Sequence, residues 1–307
     1  MAFADTDGTT LKLVEETVYG VTPVNSALWK AVRAKGWSIN PQIATIESEE
    51  LSANVDVLDV ITATQQGMFT MNLEYSKDAN FETMLEHLFR SAFATNVLKG
   101  GILRKSMSFE EVSQGTATEY AAMPGVRLDS MTISGSVGRI IDVSITGMGQ
   151  QAAFSAATLV GTGSTAAVGV NRALTLADLT AFTMTGDVTP LVVLDFSLQV
   201  VNNERVQFGA GSKNVQGIGY GTRRITGSFT AYFETREQLT KFVAGTKSAL
   251  SFVLTDGTNS HTWSLPGIKF TDGEKSLTGR SADLTQKFTF TATYVTGSLA
   301  AAQITRT

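Results

Sequence analysis

The residues that could carry acid–base or metal chemistry are few in this sequence. It contains two histidines, His87 and His261, which lie far apart, and no cysteine. Without cysteine the chain has no thiolate nucleophile, disulfide or Cys-containing zinc site. Neither histidine has potential ligands at the spacing of a metal centre. We therefore expect both to be surface or core residues, and we assign no catalytic, metal-binding or cofactor-binding residue.

Two glycine-rich stretches match phosphate-binding loops only in part. GTGSTAAVG (161–169) lacks the Lys-Ser/Thr pair of a P-loop, and GIGYG (217–221) lacks the third glycine of a dinucleotide fingerprint. No Gly-x-Ser-x-Gly elbow joins a strand to a helix, although a Ser-His-Asp arrangement made by the fold alone stays open. The sequence thus predicts flexible loops at both places, and a protein that is not an enzyme.

Composition narrows the class of partner. The 307 residues are 43% apolar, enough to bury the core of one or two domains, and 28 glycines with short apolar-polar alternations favour strands. A formal charge of −4 disfavours tight binding of nucleic acid, because that affinity comes largely from Lys and Arg. A protein that merely encloses nucleic acid stays compatible with this charge. We find no signal-peptide pattern and no run of 18 apolar residues, so we expect neither export nor a membrane span.

An internal repeat organises the chain. Segments of similar pattern occur twice and in the same order. The pairs are WSI (37–39) and FSL (196–198); GMFTMNLE (67–74) and GSFTAYFE (227–234); the helix-like NFETMLEHLF (80–89) and REQLTKFVAG (236–245); MPGVRL (123–128) and LPGIKF (265–270); and the closing IDVSITG (141–147) and KFTFTATY (287–294). The shared order favours an internal duplication over the alternative that two unrelated β-rich halves alternate alike.

The repeat predicts a mainly β fold with minor α, made of two tandem domains. Each would be an antiparallel β-sheet or sandwich with one flanking α-helix, whose apolar face, led by Phe81 or Leu239, packs on the sheet. We place the boundaries as an N-terminal arm at 1–34, a first domain at 35–149, a Gly/Ala/Ser/Thr-rich linker or arm at 150–189, and a second domain with a C-terminal tail at 190–307. We expect irregular structure in the arm and at about 96–118.

The strands divide into an apolar and a polar face, because side chains alternate across a strand. The polar face consists mostly of Ser, Thr and Asn, with scattered acids and almost no Lys or Arg. Phosphates would not adhere to such a surface, although the high β-propensity of Thr offers a simpler explanation. The residues of this face that we single out are Thr70, Asn72, Glu74, Thr230, Tyr232 and Glu234.

At this point the sequence resembles the major tail tube proteins of bacteriophages, in a long form with two fused tube domains. The resemblance rests on ETVYGVTPV (16–24), on IATIESEELSANVDVLDVITATQQGMFTMNLEYS (43–76), on the helix that follows and on the duplicated second half. It implies that each domain lends a curved sheet to a closed β-barrel ring of six domains. Three chains would then form one ring, and stacked rings would form a tube that conducts DNA.

The resemblance also implies site residues and partners. The six polar-face residues named above would line the lumen, without binding DNA tightly. We expect Glu47, Glu49 and Glu50 of one subunit to meet Arg223 and Arg224 of another. The partners would be further copies of the chain, with tape-measure and tail terminator proteins. The location would be the virion tail, and the host cytoplasm before assembly.

Alternative functions remain at this stage. The related one is a tube of a contractile tail or an injection machine, instead of the long non-contractile tail that we expect. From a different class, the chain could be a carbohydrate- or receptor-binding β-module of a virion or cell surface. Such a module would expose Trp or Tyr on loops, and the available tryptophans are Trp29, Trp37 and Trp263.

Overall fold

The computed structural model of the chain describes residues 6–50, 56–115, 117–160, 165–187, 191–276 and 283–307. These residues form a mainly β structure with two α-helices, α1 (Ala79–Phe89) and α2 (Glu237–Ala244). The strands in the described ranges are β1 (Thr10–Glu16), β2 (Lys30–Val32), β3 (Ala34–Glu47), β4 (Val60–Glu74), β5 (Val97–Lys99), β6 (Ser106–Gln114), β7 (Thr118–Ser136), β8 (Asp142–Gly149), β9 (Ala153–Ser155), β10 (Leu179–Met184), β11 (Val193–Val201), β12 (Arg205–Gln207), β13 (Gly217–Gly219), β14 (Arg224–Tyr232), β15 (Ser248–Thr255), β16 (Ser260–Ser276), β17 (Thr285–Ala292) and β18 (Gln303–Arg306).

Local chemistry accounts for the start of α1 and for the ends of both helices. The Asp78 side chain caps α1 by accepting a hydrogen bond from the Asn80 N–H at 3.1 Å. Both helices end on a residue in the left-handed region, Arg90 after α1 and Gly245 after α2. Helix α1 packs on β7 and α2 packs on β16.

One antiparallel ladder crosses the molecule in the order β3, β4, β8, β7, β11, β14, β17 and β16. The first four strands come from the first half of the chain and the last four from the second half. They meet where β7 pairs with β11, from Ser130 opposite Val201 to Ser136 opposite Asp195. The sheet of the single chain is open, so both of its ends are edges.

The same order of pairing occurs in each half. The order β3, β4, β8, β7 in the first half matches β11, β14, β17, β16 in the second. The N-terminal parts of β7 and β16 leave this ladder and pair with β6 and β15 on one side. On the other side they pair with β9 and β18. Even the register irregularities agree, since one falls between Leu128 and Ser130 and the other between Phe270 and Asp272.

The ladders correct the alignment of the most obvious sequence match. Trp37 lies opposite Met71, whereas Phe196, its counterpart in the second half, lies opposite Phe229. The structural counterpart of Phe229 is therefore Met71. The match between GMFTMNLE and GSFTAYFE aligns Phe229 with Phe69 instead, which is two residues away. A shift of two residues leaves every side chain on its predicted face.

The segments expected to be irregular contain paired strands. The N-terminal arm holds β1, which pairs with β6 along its whole length and buries Leu11 and Leu13. The 96–118 segment contains β5 and β6, and the predicted linker at 150–189 contains β9 and β10. These strands were not predicted from the sequence, because they contain polar and small residues and owe most of their burial to pairing partners far away along the chain. The described part of GTGSTAAVG is 165–169, and its first four residues lie outside the described ranges.

The apolar residues of both halves form one contiguous core. It includes Phe69 and Leu85 from the first half, and Phe229, Trp263 and Phe288 from the second. All five are at most 2% exposed. Burial of such large side chains supplies the main stabilisation of the fold, and the core holds the sheet so that its other face stays open to solvent.

Candidate functional site: the polar face and the free edges of the sheet

A row of paired residues crosses all eight strands of the ladder, and every member except Gly36 carries a polar side chain. Because paired residues of an antiparallel sheet point to the same face, the row can be read from one strand to the next. Its members are Gly36, Asn72, Ser144, Thr132, Gln199, Thr226, Thr291 and Lys269. The opposite face carries the core, so the sheet has one dry and one wet side.

The six residues predicted for the polar face lie on that side or next to it. Thr70 and Asn72 are exposed on β4, and Glu74 is half-buried at the end of the strand. On β14, Thr230 and Tyr232 are half-buried and alternate with the buried Ala231. Glu234 is exposed but lies two residues beyond the end of β14. Their assignment to a lumen stays a prediction.

The polar face also holds cations that the sequence analysis did not place there. Lys35 donates to the Asp142 carboxylate at 2.7 Å, and both side chains are about half exposed. Lys269 and Lys287 are exposed on β16 and β17, and Arg224 is exposed at the start of β14. The face is therefore mixed in charge, with Ser, Thr, Asn and Gln between scattered ions of both signs.

Two edges of the ladder have no strand beside them within the described residues. Strand β3 pairs with β4 on one side alone. The segment of β16 from Lys269 to Ser276 pairs with β17 on one side alone. An unpaired edge presents a row of backbone donors and acceptors that can template pairing with another chain. The two edges lie at opposite ends of the ladder and differ in sequence. The β3 edge of one copy could therefore pair with the β16 edge of another copy, in a head-to-tail arrangement.

The predicted inter-subunit residues are placed unequally. Glu47, Glu49 and Glu50 are exposed at the end of β3 and just after it, and Arg224 is exposed as well. Arg223 instead turns into its own chain, donating to the Phe89 carbonyl at 2.7 Å and to the Asn202 Oδ1 atom at 3.1 Å. Burial lowers the pKa of Arg223 to about 10. Their meeting in an assembly stays a prediction.

A buried ion pair joins the halves beside the β7–β11 pairing. The Arg90 guanidinium donates to the Glu204 carboxylate at 2.8 Å, and these side chains are 10% and 1% exposed. It also donates to the carbonyls of Asn202 and Gly221, each at 3.2 Å. The Tyr220 ring lies 4.4 Å from the Arg90 Cζ atom, at cation–π distance. The sequence offered no signal for this pair, because its members are more than a hundred residues apart.

Both histidines are buried and bonded to carboxylates. His261 lies in the core, where its ring nitrogens contact the Tyr75 hydroxyl at 2.8 Å and the Glu82 carboxylate at 3.1 Å. His87 Nε2 lies 2.8 Å from the Glu15 carboxylate. This hydrogen bond from His87 lowers the pKa of Glu15 to about 2, with help from the Lys105 ammonium. Each histidine therefore ties distant segments together, which agrees with the prediction of surface or core residues.

The described part of the chain shows no metal site, and none of its three tryptophans is exposed. Among its residues, no group of three or more His, Asp or Glu side chains is placed to hold a metal ion. Trp29 and Trp263 are fully buried, and half-buried Trp37 donates to the Glu111 carboxylate at 2.7 Å. Within the same ranges, neither α-helix has the length and apolar character needed to cross a bilayer.

Together, the fold and the polar face define a mainly β subunit whose open sheet has two unpaired edges in the described ranges. The family model of phage tail tube proteins matches residues 6–292 of the 307. The chain belongs to the phage tail tube protein family. It is therefore a structural protein of the virion tail, with a non-enzymatic role, and membership implies self-assembly into a tube. Comparison with curated proteins gives no match.

Proposed function

We propose that three copies of this chain close into a ring in which their six halves form one continuous β-barrel. The two halves are the two tandem tube domains, at 35–149 and 190–307. Stacked rings form the major tail tube of a long non-contractile tail, and DNA passes through the lumen. The observation that carries this proposal is the pairing of β7 with β11, which joins the two halves of one chain.

The seam between the halves serves as a template for the seam between chains. By the matched ladders, β3 corresponds to β11, and the free segment of β16 corresponds to the part of β7 that pairs with β11. Ser197 lies opposite Ser134 at the seam within the chain. The corresponding pair between chains is Ser38 on one chain and Ser276 on its neighbour. Pairing in this register leaves no free edge in the ring, which removes the hazard of uncontrolled strand addition.

The register of the seam sets the size of the barrel. Following paired residues from Ser38 across β4 and β8 leads to Ser130 on β7. Ser197, the counterpart of Ser38, lies opposite Ser134, so each half advances the register from 130 to 134, by four residues. Six halves of four strands then form a barrel of about 24 strands with a shear of about 24, a tilt of roughly 35° and a backbone diameter of about 44 Å. Inward side chains leave a bore of roughly 30 Å, wide enough for a DNA duplex.

The side chains of the polar face are better suited to let DNA pass than to bind it tightly. Neutral hydroxyl and amide groups hold water, while the cations on the face are scattered among Asp142, Asp195 and Glu274. Tight binding of DNA would require a continuous array of Lys and Arg on the phosphates. Thr70, Asn72, Glu74, Thr230, Tyr232 and Glu234 would line or flank the lumen. The tube would encounter tape-measure and terminator proteins at assembly, which would take place in the host cytoplasm.

A disulfide across the proposed seam tests this function. The chain has no cysteine, so Ser38→Cys with Ser276→Cys introduces a single defined pair. Directly paired residues of antiparallel strands are close enough for a disulfide. After assembly and oxidation, a non-reducing gel should show covalent trimers, and electron microscopy should show tubes with a bore of roughly 30 Å.

The matched control is Ser134→Cys with Ser197→Cys, the corresponding pair within one chain. It should form an intramolecular disulfide and leave the chain monomeric on the gel. Assembled tubes in which positions 38 and 276 never become linked, or a largest covalent species other than three chains, would contradict the proposed ring.

A further inference from the structure

The two halves carry long excursions at corresponding places, and their environments differ. In the second half, residues 202–223 leave the sheet between β11 and β14 and include the small β12–β13 hairpin. We call these residues the folded excursion. In the first half, the β3–β4 hairpin extends beyond the row of paired strands, with residues 43–50 and 56–65 described. We call these residues the exposed hairpin.

The folded excursion covers the first half of its own chain. The Gln65 N–H donates to the Lys213 carbonyl at 2.8 Å, and Arg127 donates to the Ile218 carbonyl. Val215 is fully buried, and Ile218 is 3% exposed. The Arg127 guanidinium, in a residue that is 9% exposed, lies 4.6 Å from the centre of the Tyr220 ring. Residues of the first half thus form a complete binding surface for this excursion.

Apart from Gln65, whose N–H bonds to the folded excursion of its own chain, the exposed hairpin has no such cover from the described residues. Six of its large apolar side chains are between 45% and 63% exposed, namely Ile43, Ile46, Val57, Leu58, Val60 and Ile61. Exposure of so many large apolar side chains in one segment indicates an interaction surface. The hairpin also carries Glu47, Glu49, Glu50, Asp56 and Asp59, while residues 43–66 contain no Lys or Arg. Its partner should therefore be both apolar and basic.

The surface that corresponds to the binding site of the folded excursion is open and basic. Lys269 on β16 matches Arg127 on β7, because each directly precedes the register irregularity of its strand and pairs with corresponding residues. Lys269 is exposed, and its side chain lies beside Gly245 at the end of α2. Arg224 is exposed as well, and so is Lys247, two residues beyond Gly245 in the chain. We call Arg224, Lys247 and Lys269 the landing surface.

We propose that the exposed hairpin of one chain docks on the landing surface of the neighbouring chain in the same ring. The inference rests on the ring proposed above and follows the arrangement within the chain. There β11 pairs with β7 and the excursion that follows β11 covers Arg127. In the ring β3 pairs with β16 of the neighbour, so the hairpin that follows β3 reaches the neighbour's Lys269.

The matched positions predict which groups meet. Ile218 lies six residues before Arg224, the first residue of β14, and Val60 lies six residues before Gln66, its counterpart on β4. Val60 of one chain should therefore lie over Lys269 of the next, as Ile218 lies over Arg127. The carboxylates of the hairpin then face the cations of the landing surface. The apolar side chains on the face that carries Val60 become covered at the moment the ring closes.

The test combines Val60→Cys with Lys269→Cys and a short bismaleimide, in a chain without other thiols. Both side chains are exposed, so their replacement should leave the fold intact. Cross-linking of assembled protein should give covalent trimers as the largest species, because docking within a ring joins three chains in a closed cycle. The control Val60→Cys with Thr258→Cys places the second thiol on the exposed β15–β16 turn and should not cross-link.

The other outcomes overturn the inference in distinguishable ways. Covalent ladders that extend far beyond three chains would show that the hairpin contacts the next ring along the tube. Absence of cross-links in tubes whose Ser38→Cys and Ser276→Cys pair does form a disulfide would refute hairpin docking and leave the ring intact. If neither pair joins chains in assembled protein, both the docking and the proposed ring fail.

Discussion

Removing either partner of the Arg90–Glu204 pair should leave a buried charge without its counter-ion and destabilise the chain. In Arg90→Met, a carboxylate that is 1% exposed loses its cation, which costs about 3–5 kcal/mol. Glu204→Leu leaves the guanidinium with the carbonyls of Asn202 and Gly221 and the Tyr220 ring, so we expect a loss of about 2–4 kcal/mol. Arg90 has a positive φ of 53°, and methionine retains the same backbone cost at that position.

The double variant should lose less than the sum of the two single losses. Apolar replacement of both partners removes the uncompensated charge. The hydrogen bonds from Arg90 to the two carbonyls remain lost, at about 1 kcal/mol each, together with the contact of Arg90 with the Tyr220 ring. The coupling free energy should therefore be at least about 2 kcal/mol. Urea unfolding of unassembled protein measures all four free energies, provided that the m-values agree. Losses that add to within about 0.5 kcal/mol would refute the reasoning.

Three further changes probe the sheet and its supports. Gly227→Ala should destabilise the chain by about 1–3 kcal/mol, because a Cβ there would lie 2.5 Å from the Phe290 ring; urea unfolding measures it. Phe229→Ala should cost about 3–5 kcal/mol in the same assay, since the ring is fully buried. Glu15→Gln should flatten the acid limb of the stability curve. The His87 hydrogen bond lowers the folded pKa of Glu15 to about 2, so its contribution is complete above about 4.5 and is lost as the pH falls towards 2.

Matched controls separate these effects from general damage. Gly36→Ala introduces a Cβ with nothing within 4 Å and should be close to neutral. Phe154→Ala removes a ring that is 68% exposed and should cost well under about 1 kcal/mol. Glu47→Gln makes the same chemical change on an exposed side chain and serves as the control for Glu15→Gln. Equal losses in a variant and its control would contradict the structural account of that site.

Features governed by local periodicity were predictable from the sequence. Strand alternation depends on neighbouring residues, so Phe69 and Thr70 could be assigned to opposite faces without knowledge of the pairing. The apolar stripes of the two helices were visible for the same reason. The side chains of the predicted face indeed alternate with the core, because the pleat of a strand fixes this relation even when the register is unknown.

Features governed by distant contacts were not predictable. The burial of Leu11 depends on strand β6, about a hundred residues further along the chain, and nothing in the N-terminal arm itself reveals this partner. The Arg90–Glu204 pair and the packing of the folded excursion on Arg127 also depend on the path of the folded chain, which brings distant residues together. Sequence similarity also aligned Phe229 with the wrong residue of the first half, because Phe-Thr alternation matches equally well at shifts of two residues.

The core that runs through both halves has a mechanical consequence for the tail. Within a chain, the joint between the halves is backed by packed aromatic rings such as Phe89 against Trp263, by Arg90 with Glu204, and by a covalent backbone. In the proposed ring, the joints between chains would have no covalent link. A tail that bends or is stretched during infection should therefore yield along the boundaries between polypeptides, with every second joint around the wall reinforced.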